Sequence, residues 1–237
     1  MSRRVVGVLG GMGPEATILL QQRLLQTVDA QDDADHLPLL IDMNPQVPSR
    51  IAHLIEGRGP DPGPVLSEMA QRLTAAGATA LAMPCNTAHH YAPVIQTASA
   101  VPLLNMVALS VEQAARQLPQ GGRVGILASP AVKIAGVFDA PLQQAGLSPL
   151  WPENTDQMLD AIKLIKRQGP VPQAETVLIQ AGAELVADGA DLLFVACSEF
   201  SLLSDRLSVT GSGSVPVIDT VDVLAAAIHH HIMQEAD

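Results

Sequence analysis

Short all-apolar runs alternate along this chain with longer segments in which apolar residues recur every three or four positions. Runs of the first kind fit strands covered on both faces of a parallel sheet, and segments of the second kind fit amphipathic helices, so the pattern predicts a βα array. Val5 to Leu9 is the first predicted strand. A glycine turn follows, then Pro14 at a first helical position, Glu15 near the positive helix end, and helix formers from Ala16 to Val28. Leu37 to Asp42 reads as the second strand, and Asn44 to Arg50 as a loop at its carboxyl end, where α/β proteins hold ligands. Gly57 to Pro64 carries three glycines and three prolines, which marks a surface connection. Val65 to Ala76 predicts a helix, and Thr79 to Met83 a strand that ends at Pro84 and delivers Cys85 to a candidate helix start. A helix over Pro93 to Ala100, a strand over Val101 to Asn105 and a helix over Ala108 to Leu118 complete this half.

The pattern then restarts. Val6-Gly-Val-Leu9 recurs 118 positions on as Val124-Gly-Ile-Leu127, Cys85 recurs 112 positions on as Cys197, and Val101-Pro-Leu-Leu-Asn105 recurs 114 positions on as Val215-Pro-Val-Ile-Asp219. Three similar offsets in one order predict a duplicated unit. The expected architecture is α/β: two lobes, each a mainly parallel sheet flanked by helices; if a pseudo-twofold axis relates them, their equivalent strand ends face each other across a cleft that holds the site. The last helix, Val221 to Met233, is expected to pack back on the first lobe. The predicted lobes are therefore residues 1–107 with 217–237, carrying Cys85, and residues 108–216, carrying Cys197.

Composition narrows the functions. A hydrophobic fraction of 48% with 16% charged residues predicts a globular protein with a large aliphatic core, aromatics being only 2%. The formal charge of -11 opposes binding to nucleic acid or an anionic membrane. Two cysteines in 237 residues make no disulfide framework and fit reduced thiols in the cytoplasm. The opening Met1-Ser-Arg-Arg and apolar run superficially resemble a leader, but Gly10, Gly11, Gly13, Pro14 and Glu15 interrupt the run. Gly11-Met-Gly-Pro-Glu-Ala16 formally fits a dinucleotide fingerprint, yet Glu15 would stand where a pyrophosphate needs positive potential. His89 and His90 are adjacent and have no carboxylate or thiol at metal-ligand spacing, so no metal site is expected; His89 is expected to support the Cys85 loop. His229 to His231 and the residues to Asp237 are expected at the exposed end of the last helix.

The two thiols are the candidate chemistry. Each ends an apolar strand and is followed by two polar residues, Asn86 and Thr87 in one case, Ser198 and Glu199 in the other. A helix start beside Cys85 would favour thiolate there. Facing thiols meet the need of a reaction that removes a proton from one face of a carbon and returns one to the other.

The motifs Gly10-Gly-Met-Gly-Pro-Glu-Ala16, Asn44-Pro-Gln-Val-Pro-Ser-Arg50, Pro84-Cys-Asn-Thr-Ala-His89 and Ala196-Cys-Ser-Glu199 resemble the aspartate/glutamate racemase family, in its aspartate-racemase and broad-specificity branch. The resemblance runs from Gly7 to about Asp222. It implies two Rossmann-like lobes related by a pseudo-twofold axis with the active site in the cleft between them, racemisation of an acidic amino acid, aspartate or glutamate, without pyridoxal phosphate, metal or nucleotide, and commonly a homodimer. By that resemblance Cys85 and Cys197 are the catalytic pair, and Asn86, Thr87 and Ser198 hold the α-carboxylate and amine. Arg50 grips a side-chain carboxylate, and Met12 lines the cleft. Glu199 and Ser129 are further candidates for substrate contact. Ser198 stands where Thr is usual, and the Leu127 to Val132 segment is one residue shorter than a form with an extra Thr. In Asp160 to Gly169, Lys163 and Arg167 align with a Tyr and a Lys, so Arg167 is the expected substrate contact there. Related enzymes racemise hydantoins, isomerise maleate or decarboxylate arylmalonates, and a carboxylate-binding module without chemistry is a further alternative; Arg50 favours the acidic amino acid over hydantoins.

Overall fold

Parallel pairing dominates the structure, a computed structural model that describes residues 4–210 and 215–234, with backbone alone for 208–210. The first three residues and the chain end after Gln234, both covered by expectations from the sequence, lie outside the described residues. The chain forms two compact units, Met1–Leu109 with Val221–Asp237, and Ser110–Thr220.

The first unit contains β1 (Val6–Gly10), α1 (Pro14–Gln26), β2 (Leu39–Met43), α2 (Arg50–Leu54), α3 (Gly63–Ala75), β3 (Ala80–Ala82), α4 (Ala92–Ala98), β4 (Leu103–Leu104) and the start of α5 (Met106–Gln117). All four strands are parallel, in the order β2-β1-β3-β4. β1 and β3 are the interior strands and are buried along their full length, which is why they read as unbroken apolar runs. Gly7 sits where a Cβ would lie 2.9 Å from Leu73 Cβ, so the missing side chain lets α3 pack close to the sheet. Beneath it Leu9, Leu66, Met69, Leu73, Leu81, Met83 and Ile95 form one apolar cluster that also includes Met12, Cys85 and Tyr91.

The second unit continues with β5 (Arg123–Leu127), α6 (Pro130–Ala135), α7 (Asp139–Gln144), β6 (Ser148–Leu150), α8 (Thr155–Gln168), α9 (Pro172–Ala187), β7 (Leu192–Val195), α10 (Ser198–Ser201), α11 (Ser204–Thr210) and β8 (Val217–Asp219). Its sheet order, β6-β5-β7-β8, repeats the first unit's, again with every pair parallel. This is the sheet-level counterpart of the sequence duplication. In both units the third strand in chain order is interior and ends just before a cysteine. The final helix, α12 (Thr220–Met233), returns to the first unit, where Asp222 pairs with Arg23 of α1 at 3.1 Å and His231 Nε2 bonds Thr79 Oγ1 at 3.1 Å. His231 is thus docked rather than part of an exposed end.

Local structure departs from expectation in two places. The loop expected over Asn44 to Arg50 holds as far as Ser49, and Arg50 opens α2, capped by Ser49 Oγ, which accepts from Ala52 N. No α-helix starts at Cys85: the chain makes a 3-10 segment over Thr87–Tyr91, and α4 begins afresh at Ala92. Pro93 explains the break, because it has no N–H to give the carbonyl one turn back, while the first turn of a new helix tolerates it.

Gly11 sets the turn after β1. Its φ is +90°, and a Cβ there would fall 2.4 Å from Asn44 C, so the turn lies directly against the chain leaving β2. Gly77 has a similar φ of +100° but open space around it. Gly77→Ala is expected to cost about 1 kcal/mol from the left-handed backbone alone. Gly11→Ala should cost clearly more because backbone must move, and thermal denaturation of the two variants reads the difference.

Candidate active site

In the first unit Cys85 leaves β3 through a tight turn, its N–H donating to Met83 O at 2.8 Å, and it is 7% exposed. β1 lies beside β3, so the glycine turn with Met12 and the Cys85 loop exit from neighbouring strands. Met12 is buried in the same apolar cluster as Cys85. His89 fixes the loop. Its Nε2 accepts from Met106 N at 3.2 Å, which makes it the unprotonated nitrogen, so Nδ1–H donates to Cys85 O at 2.9 Å. Burial lowers the His89 pKa to about 4, opposed by the hydrogen bond to Cys85, so the ring is neutral at physiological pH. Asn86 is buried beside the thiol, and Thr87, half-buried, carries no hydroxyl hydrogen bond among the described residues.

Arg50 is half-buried, and its Nη1 donates to Val47 O at 3.3 Å and to Pro48 O at 3.0 Å. The rest of the guanidinium has no partner among the described residues. Two carbonyls of its own loop therefore hold one arm of a fork whose other arm is available to a carboxylate.

In the second unit Cys197 is 8% exposed and is the residue before α10. Leu127 pairs with Val195, so Ser129 and Cys197 stand two residues beyond matched positions on neighbouring strands. Ser129 precedes Pro130 and α6, is 6% exposed and makes no capping bond through its side chain. Ser198 is buried, and its hydroxyl has no partner among the described residues. Cys197 is biased towards the thiol. Its Sγ donates to Glu199 Oε2 at 3.0 Å, and burial first, then the Glu199 carboxylate, push the thiol pKa well above its ordinary value. Four residues of α10 supply too short a dipole to offset that.

Glu199 is also ion-paired with Lys166, Nζ to Oε1 at 3.0 Å. Arg167, the cation expected from the sequence, is not brought there. It is exposed and folds back along α8, Nε donating to Lys163 O at 3.2 Å. Helical geometry accounts for the exchange: Lys166 follows the buried Ile162 by four residues, whereas Arg167 follows the exposed Lys163. The buried face of α8 was the signal that distinguishes them in the sequence. Among the described residues no group of three or more His, Cys, Asp or Glu side chains is placed to hold a metal.

The family model for Asp/Glu/Hydantoin racemase matches residues 9–228. The chain belongs to that family. This racemase-family chain is 25% identical to a broad-specificity amino-acid racemase of Bacillus subtilis (strain 168), over 93% of its own length and 95% of the relative's. Its fold is that of an aspartate racemase from Picrophilus torridus, with a TM-score of 0.82 at 24% identity, covering 99% of this chain and 96% of that one. An aspartate racemase homologue from Pyrococcus horikoshii superposes with a TM-score of 0.73 at 18% identity, covering 98% and 100%. Two four-stranded parallel sheets flanked by helices are thus the family fold.

The neutral His89 ties stability to pH. Its folded pKa of about 4 lies below the unfolded value near 6.5, so as pH falls the unfolded chain takes up a proton before the folded one. Stability present above pH 6.5 is lost between 6.5 and 4, about 3 kcal/mol in all and about 2 kcal/mol by pH 5. Urea denaturation at pH 7.5 and pH 5 should show that loss in the wild type and a smaller one in His89→Gln; equal losses would remove His89 from this role.

Proposed function

We propose that this chain is an amino-acid racemase that inverts the α-carbon of an acidic amino acid, aspartate or glutamate, by proton transfer between Cys85 and Cys197 without a bound cofactor. The observation that carries the reading is the repeated placement of the two thiols. Each follows the interior third strand of a parallel sheet, at the carboxyl end where α/β proteins hold ligands, and each keeps a small exposed surface. Family membership supports the reaction class.

Inversion needs one acid and one base on opposite faces of the α-carbon. On this reading Cys85 supplies one and Cys197 the other. The resting protein is asymmetric: Cys197 Sγ–H is committed to Glu199, whereas Cys85 Sγ has no hydrogen-bond partner among the described residues. Cys197 therefore starts as the acid. Cys85, as thiolate, removes the α-proton, and Cys197 delivers one from the other side. Turnover leaves Cys85 as thiol and Cys197 as thiolate; consuming the opposite enantiomer reverses both, and otherwise Cys85 gives its proton to water while Cys197 takes one from water by way of the Glu199 carboxylate, which Lys166 holds in place. Charge that builds on the α-carboxylate meets the hydroxyls of Thr87 and Ser198 and the amide of Asn86.

The free arm of Arg50 favours a substrate with a second carboxylate. The Bacillus subtilis relative has broad specificity, so a panel of amino acids is the proper assay. On this reading the enzyme acts as a homodimer in the cytoplasm. No described helix is long and apolar enough to cross a membrane.

Chiral analysis of L- and D-amino acids incubated in deuterated water should show racemisation and α-deuteration strongest for aspartate or glutamate. Cys85→Ser and Cys197→Ser should each lower racemisation by about 100- to 10,000-fold. Full racemisation by either variant would end the two-thiol reading. Glu199→Gln removes the carboxylate that raises the Cys197 pKa, so the limb of the pH–rate profile belonging to that thiol should move to lower pH. An unmoved profile would separate Glu199 from the reaction.

A further inference from the structure

Tyr91 closes the 3-10 segment after Cys85 and is 5% exposed. Its ring belongs to the apolar cluster that holds Cys85, Met12 and Val47, yet its Oη is buried with no hydrogen-bond partner among the described residues. A buried hydroxyl left unsatisfied is costly, and such groups in folded proteins ordinarily have a partner, ligand and water included. The surroundings point to a particular ligand chemistry. The ring lies 6.3 Å, centroid to centroid, from His53, which stands one turn along α2 from Arg50, and it meets His90 edge-on at 5.0 Å. The phenol also feels both the Arg50 charge and the Asp61 carboxylate; burial, followed by Asp61, raises its pKa to about 12 against the opposing effect of Arg50. Tyr91 is therefore an O–H donor throughout the physiological range. Within electrostatic reach is a guanidinium with one arm pinned by Val47 and Pro48 and the other without a partner among the described residues.

Building on the racemase reading, we propose that Tyr91 Oη is a specificity-determining donor that, with the free arm of Arg50, binds the side-chain carboxylate of the substrate. Two donors of different kinds then meet one anion. Arg50 supplies charge on a side chain with many rotamers, whereas the phenol, fixed by the cluster around Cys85, supplies direction and distance. The ring shares a cluster with the thiol and lies 6.3 Å from His53 on the helix that carries Arg50, so it would relate the far end of the substrate to its reacting carbon.

The test compares wild type with Tyr91→Phe, which keeps the ring and removes only the hydroxyl. The unliganded variant should melt no lower than wild type, because the lost group has no partner among the described residues. Its KM for L-aspartate should rise about tenfold or more with kcat within about threefold, the pattern for a donor that binds ground and transition states alike. The rise in Tm that L-aspartate gives the wild type should shrink in parallel. A lower Tm for the unliganded variant would show that the hydroxyl serves the fold and overturn the proposal, as would an unchanged KM with a full ligand-induced rise in Tm. Failure of the wild type to racemise aspartate or glutamate would instead overturn the racemase reading. The Tm shift with L-aspartate would then decide the tyrosine separately: lost in the variant it supports the assignment, retained it refutes it.

Discussion

A reactive side chain at the mouth of a buried strand is only as well placed as the backbone that bears it, and here each cysteine carbonyl is bonded by the residue four positions on. In the first unit that residue is His89, whose ring spans from Cys85 O to the N–H of Met106, the first residue of α5. In the second it is Ser201, whose N–H donates to Cys197 O at 3.0 Å while its hydroxyl donates to Asp219, the last residue of β8, at 2.7 Å. Both clamps tie the cysteine loop to the junction between the fourth strand and the helix after it. Thr220 Oγ1 adds a third tie by donating to Val195 O, just before the second thiol. The duplicated halves have kept the geometry of this clamp while changing the chemistry that makes it.

That change matters for the thiols. A neutral imidazole beside Cys85 adds no charge, whereas the second half sets a carboxylate directly on the Cys197 sulfur and a lysine behind it. Two equivalent cysteines would leave the resting distribution of the proton undefined. Unequal neighbours define it: one sulfur is held as a thiol before substrate arrives. On the two-thiol proposal the reaction runs in both directions and tolerates this bias only if the held proton can be released again; Glu199 is bonded to the thiol through one oxygen and to Lys166 through the other.

Much of this was legible in the sequence because parallel strands buried on both faces leave an unmistakable apolar run, as in Val6–Gly10 and Leu192–Val195, and because a cysteine after such a run has few possible positions. The family resemblance rested on the same short motifs, and the family match bears it out. Features that depend on three-dimensional neighbours were less visible. The identity of the cation at Glu199 turned on which face of α8 is buried, and a shift of one residue separates Lys166 from Arg167. The expected helix at Cys85 failed because Pro93 restarts the helix seven residues later, an effect of the missing N–H rather than of propensity near the thiol. Tyr91 resembled any aromatic core residue in the sequence; only its unsatisfied hydroxyl sets it apart.

The net charge of -11 makes the placement of the few cations consequential. If the substrate is the proposed anionic amino acid, such a chain repels it at long range, so what binds it must act at short range and in part without charge. Lys166 is engaged with Glu199, and Arg23 with Asp222, which leaves both of these cations engaged with the protein's own carboxylates. Arg50 differs because its pinned arm is held by neutral carbonyls, so its charge is not cancelled where it is held. A half-buried guanidinium in that state is costly unless an anion joins it, and the same solvent exclusion that imposes the cost strengthens the bond when one does. Selectivity for a second carboxylate would then follow from the lack, among the described residues, of a resident acid paired with Arg50, as much as from what the first unit contains.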